Sequence, residues 1–143
     1  MTELQATICI EQLKKAKLIL KKNKERYKLL DKKINKNINK RLIIENSEPN
    51  YDTFIFYVKK SLKLKIIKYL KKIKLGTKNL PDAIKWHCSY YWGHAVDKKQ
   101  IRNSVRTKNL LTSAIAIPIL INKNLKFYNS VVLEINKIYE KYR

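Results

Sequence analysis

At 143 residues and 17.0 kDa the chain has the size of one compact domain, and 45% hydrophobic residues can build a core of ordinary proportions. Two glycines and three prolines are too few for a turn-rich β fold or a Gly/Ser linker. The 33 Lys plus Arg against 11 Asp plus Glu leave a formal charge of +22, which excludes a protein that balances its own surface.

An AT-rich genome would account for abundant Lys, Ile, Asn and Tyr, but it would raise glutamate as well. The shortage of acids therefore points to an anionic partner whose charge relieves the self-repulsion. Nucleic acid is the leading class, with RNA slightly preferred over DNA. Cys9 and Cys88 allow a single pair in a chain whose opening, MTELQATICIEQLKK, reads as no secretory leader. They are expected as reduced, packed thiols in the cytoplasm or another reducing compartment. The uncharged run from Asn109 to Asn122 is too short and too interrupted to be a transmembrane segment.

Taken in order, residues 3–45 carry apolar groups at Cys9, Leu13, Ala16 and Leu20, then Tyr27, Leu30, Ile34, Ile38 and Leu42, in steps of three and four. Asn23 falls in the seam. The spacing predicts one long helix, or a pair broken near Asn35–Asn39, with Thr2 and Gln5 as a start signal. The stretch ENSEPNYD (45–52) reads as a connector. A helix over 51–75 is then predicted from Tyr51, Ile55, Val58, Leu62, Ile66, Tyr69 and Ile73, closed by Gly76 in a left-handed cap. Residues 81–106 are predicted as an aromatic and basic helix opening at Pro81. The apolar run 110–121 fits a helix ended at Pro118 or a buried strand, with helix favoured. A heptad helix over 119–142 follows from Ile121, Leu125, Tyr128, Val132, Ile135, Tyr139 and Tyr142, whose seam would meet the N-terminal helices or a second copy. The fold expected is all-α: a single-domain bundle of four to six helices with long lysine-rich amphipathic faces.

Two adjacent lysine helices would attract a phosphate backbone through Lys14, Lys21, Lys28, Lys32 and Lys36 and through Lys59, Lys63 and Lys71. Stacking on unpaired bases would fall to Tyr91 and Trp92, with Lys98, Lys99, Arg102 and Arg106 beside them. Trp86 and Tyr90 are expected mainly in the core. His87, Cys88, His94 and Asp97 have no recognised metal spacing, so no metal or other cofactor is expected. The acids are scattered and no nucleophile or phosphate loop accompanies them, so the expectation is not an enzyme. The alternatives are a helical adaptor or homo-oligomer docking through its heptad seams, and, less favoured, a peripheral binder of anionic membranes.

Overall fold

The computed structural model describes residues 2–143. Helix α1 (Glu3–Lys14) runs through Lys15 into α2 (Ala16–Lys33). Its start is the one the sequence signals: Thr2 accepts from the Gln5 amide at 3.3 Å while the Gln5 side chain accepts from the Thr2 amide at 2.9 Å. The chain leaves the helix at Ile34, in the asparagine-rich stretch that favours a break.

The fold is mixed α/β, and the all-α expectation is corrected by three short strands: β1 (Asn39–Lys40), β2 (Thr53–Tyr57) and β3 (Ala114–Pro118). They form one antiparallel sheet in the order β1-β2-β3, with Phe54 opposite Ile117 and Phe56 opposite Ile115. The reason is local. Thr53-Phe54-Ile55-Phe56-Tyr57 is an unbroken run of β-branched and aromatic residues, which suit a pleated surface better than a helix. In β3 alternating Ala and Ile present two different widths to the two sides.

The other spans shift accordingly. The span 51–75 becomes β2 followed by α3 (Lys60–Lys72). Gly76 does take a positive φ of 67°, but three residues beyond the helix's capping residue Ile73. The single helix expected over 81–106 breaks into α4 (Ile84–His87), a 3-10 turn at Ser89–Tyr91, α5 (Lys98–Asn103) and α6 (Val105–Ser113). In 110–121 the strand displaces the favoured helix. Helix α7 (Leu125–Tyr142) starts later than expected because Asn124 caps it, accepting from the Phe127 amide at 2.8 Å.

The alternation of β2 and β3 divides the molecule. Phe54, Phe56, Ile115 and Ile117 point to one side, where they are fully buried with Leu30 of α2, Ile66 and Leu70 of α3, and Tyr128, Val132 and Ile135 of α7. The heptad seam of α7 is thus used inside the chain. It meets α2 through Asn136, whose side chain accepts from the Asn35 amide at 2.9 Å and donates to the Lys33 carbonyl at 2.8 Å. On the far side Ala114 and Ala116 lie with Leu80, and Ile55, Tyr57, Ile84 and Leu111 pack around them. The excursion between α3 and β3 covers that face.

Candidate functional site

A cleft of about 290 Å³ opens on the far side of the sheet, lined among others by Arg41, Asp52, Thr53, Lys78, His87 and Ala116. Each wall has its own cause. Arg41 continues the pairing of β1, its amide donating to the Ile55 carbonyl at 3.0 Å. Asp52 sits just before β2 and is fixed from the other side by the Ile119 amide, which donates to its carbonyl at 2.8 Å. Residues 78–80 lie along the free edge of β3: the Lys78 amide donates to Ala116 at 2.9 Å, and the Ala116 amide to Leu80 at 3.1 Å. Asn79 bends the chain between those bonds with a φ of 65°. His87 closes α4, and the small Ala116 keeps the floor low.

The electrostatics are uneven. The Lys78 ammonium meets the Asp52 carboxylate at 2.5 Å, and the Thr53 hydroxyl donates to the same carboxylate at 2.9 Å. Burial works to raise the Asp52 carboxyl, and the hydrogen bonds from Lys78 and Thr53 outweigh it, so the group lies below its ordinary 3.8. Lys78 is therefore matched. Arg41 is exposed and has no ion-pair partner among the described residues, so its planar fork stands free at the rim. A free guanidinium beside an imidazole and a neutralised Lys–Asp pair suits a carboxylate or phosphate held from one end.

The residues singled out from sequence are placed elsewhere. Lys14, Lys21, Lys28, Lys32, Lys36, Lys59, Lys71, Lys98, Lys99, Arg102 and Arg106 are exposed. The two lysine helices are not adjacent, because α7 packs against both α2 and α3 and separates them. Lys63 is not on a free face at all: it is 7% exposed and its ammonium donates to the Thr112 carbonyl at 2.5 Å. Trp86, expected in the core, is 81% exposed. Tyr91 and Trp92 are barely in the exposed range, and the Trp92 indole N–H is occupied by the Lys85 carbonyl at 2.9 Å. Tyr90 is half-buried, with the Lys108 ammonium 4.2 Å from its ring centre. Cys88 is buried as expected, whereas Cys9 is exposed; both are free thiols. Among the described residues no three His, Cys, Asp or Glu side chains converge, and no helix is long and apolar enough to cross a membrane.

Arg41, Asp52 and Lys78 were not legible as a site from sequence, since they lie in three separate connectors that only sheet pairing brings together. The acid that ends the ENSEPNYD connector, Asp52, was the one available signal.

Lys63 offers a test of how well this part of the chain is enclosed. Burial holds its ammonium below the ordinary 10.5, with the Asp82 charge pulling weakly the other way. The folded state therefore releases that proton at lower pH than the unfolded chain. Its share of the stability should rise with pH between the folded value and 10.5, and level off above. A side-chain NMR titration should give a midpoint below 10.5, and Lys63→Met should flatten the rise. A midpoint at 10.5 would mean that the amine is solvated.

With this geometry established, the comparisons add one positive finding. The family model described as "DegT/DnrJ/EryC1/StrS aminotransferase family" matches residues 1–135. No curated protein matches the chain. The family match overturns three expectations together: the nucleic-acid-binding function, its non-enzymatic character, and the ribonucleoprotein setting built on them. High charge was read as a binding device, yet the exposed lysines are divided among helices that α7 keeps apart.

Proposed function

Because the chain belongs to the DegT/DnrJ/EryC1/StrS aminotransferase family, we propose that it serves amino-group transfer by holding the acidic end of a substrate in the Arg41 cleft. The match across residues 1–135 carries the reaction class. The free guanidinium supports the substrate end. Amino-group transfer commonly passes through amino acids and 2-oxo acids, which present a carboxylate, and a bidentate arginine is the best-suited side chain for one. Thr53, Asn79 and His87 line the same cleft and can complete the shell of hydrogen bonds.

Aminotransferases use pyridoxal phosphate, and residues 2–143 do not fit that group. It needs an uncharged amine free to react with its aldehyde, a carboxylate against its ring nitrogen, and a phosphate cradle. Lys78 and Asp52 would be the natural pair, but at 2.5 Å each occupies the other. Lys63 has the depressed amine, but it is bonded to Thr112 and buried. Neither glycine makes a cradle: nothing lies within 4 Å of where a Gly76 side chain would be, and Gly93 faces only Ile101. No step through the cofactor is therefore assigned to these residues. Their part in this reading is to bind and orient the acidic end of the substrate. The free thiols Cys9 and Cys88 support placing the protein in a reducing compartment.

The test is calorimetric titration with 2-oxoglutarate. Charge-assisted bonds are worth roughly 1.5–3 kcal/mol, so Arg41→Met should weaken binding by about tenfold or more. Lys71→Met, on α3, should leave it unchanged. Equal losses from both would reduce the effect to net charge and overturn the assignment.

A further inference from the structure

Both tryptophans of the chain line one cleft of about 470 Å³, together with Lys85, Tyr91, His94 and Ala95. It shares no lining residue with the Arg41 cleft. Trp86 is 81% exposed, so a ring that ordinarily gains by burial is left in water. The other two rings are held in place. The Trp92 indole N–H donates to the Lys85 carbonyl at 2.9 Å, and the Ala95 and Val96 amides both donate to the Trp92 carbonyl, at 2.8 Å and 3.0 Å. Tyr91 stands edge-on to Tyr90 with ring centres 5.4 Å apart. The Ser89 and Ser104 hydroxyls, 2.7 Å apart, fasten the segment to the junction of α5 and α6. Among the described residues none of the three lining rings packs on another. Their faces are therefore free to stack on a ligand, and two of them are already positioned, which lowers the cost of ordering them.

The remaining lining selects among the ligands that aromatic clefts take. A quaternary ammonium would meet the basic side chains of Lys85 and His94 and no carboxylate. Asp82 and Asp97, the acids that flank the segment in sequence, are engaged by the Thr77 hydroxyl and the Gln100 amide. A sugar needs Asn, Asp, Gln or Glu side chains for its several hydroxyls, and none lines the cleft. A flat ring with one acidic group satisfies both the rings and the two basic residues.

We infer that the Trp86–Trp92 cleft binds a small planar aromatic acid, its ring stacked on the indoles and its acidic group met by the Lys85 ammonium and a His94 N–H. Charge alone does not select this ligand in a chain of +22; the three uncovered rings do. Lys85 and His94 decide only the sign of the group the ring carries.

The two indole N–H signals of the chain both report on this cleft, and the probe is 1-naphthoate titrated into nitrogen-15-labelled protein. Three comparison ligands are titrated beside it: 1-naphthylmethylammonium, cyclohexanecarboxylate and a proline-rich peptide. Naphthoate should shift both indole signals along one saturable curve, with the other three binding at least about tenfold more weakly. Trp86→Ala should weaken naphthoate by about tenfold, and Lys85→Gln should remove most of its advantage over the cationic analogue. Arg41→Met and Lys71→Met should change neither. Trp86 and Lys85 are exposed, so both variants keep the fold. Indole signals that do not move, or full affinity in Trp86→Ala, would overturn the inference. So would equal binding of the cation or the ring-free acid, tighter binding of the peptide, or an equal loss from Arg41→Met or Lys71→Met. None of these results bears on 2-oxoglutarate binding at Arg41, so the two readings fail separately.

Discussion

Phe54→Ala should lower the unfolding free energy by about 3–5 kcal/mol, and Ile55→Ala by less than about half of that. Phe54 is fully buried, its ring edge-on to Tyr27 at 5.2 Å and 6.1 Å from Phe56, so truncation leaves a void between α2 and the sheet that neither can readily fill. Ile55 points to the opposite side, where it is half-buried under the excursion that follows α3. Helical spacing ranks them the other way, since Ile55 falls in line with Tyr51, Val58 and Leu62. Urea denaturation of the two variants therefore distinguishes the strand from the helix directly, and a larger loss from Ile55→Ala would contradict the sheet.

Arg26→Ala should cost about 2–4 kcal/mol. This side chain is 7% exposed and has no carboxylate partner. Its guanidinium is satisfied by three carbonyls: Nε donates to Lys123 at 2.7 Å, and the terminal nitrogens to Lys22 at 2.6 Å and Ile121 at 3.1 Å. It thereby ties α2 to the connector between β3 and α7, which is also held by the Tyr128 hydroxyl, accepting from the Leu120 amide at 2.7 Å, and by the Ile119 amide, donating to the Asp52 carbonyl at 2.8 Å. Arg26→Lys keeps the charge but cannot reach three acceptors in one plane, so it should recover less than half of the loss. A change below about 0.5 kcal/mol in the alanine variant would show that water replaces all three bonds.

Legibility in the sequence followed the length of the signal. The C-terminal pattern runs on through Tyr142 with helix α7, which starts at Leu125 and not at the expected 119, and Asn23 of the N-terminal pattern is buried. Two-residue and five-residue strands give too few repeats to compete with a helical count that bridges them: Tyr51, Ile55, Val58 and Leu62 match steps of four and three although β2 ends at Tyr57. Sheet partners are also distant in the chain, and nothing in residues 53–57 names 114–118 as their mate. The same distance hid the cleft. Lysines were legible as charges but not as positions, and burial removed Lys63 from the exposed face on which its spacing put it. Arg26 was passed over because an isolated arginine among lysines carries no mark of its three carbonyls.

The reading proposed for this chain, substrate acid held at Arg41 and no pyridoxal phosphate seated on its lysines, is tested most directly by pyridoxal phosphate labelling of those lysines. The protein is treated with pyridoxal phosphate and borohydride, with and without 2-oxoglutarate, and each lysine is quantified by mass spectrometry. The account predicts shallow labelling spread over the exposed lysines, with none approaching one adduct per chain, and protection by 2-oxoglutarate confined to Lys78 beside Arg41. Full labelling of a single lysine, or protection spread evenly over all of them, would contradict it.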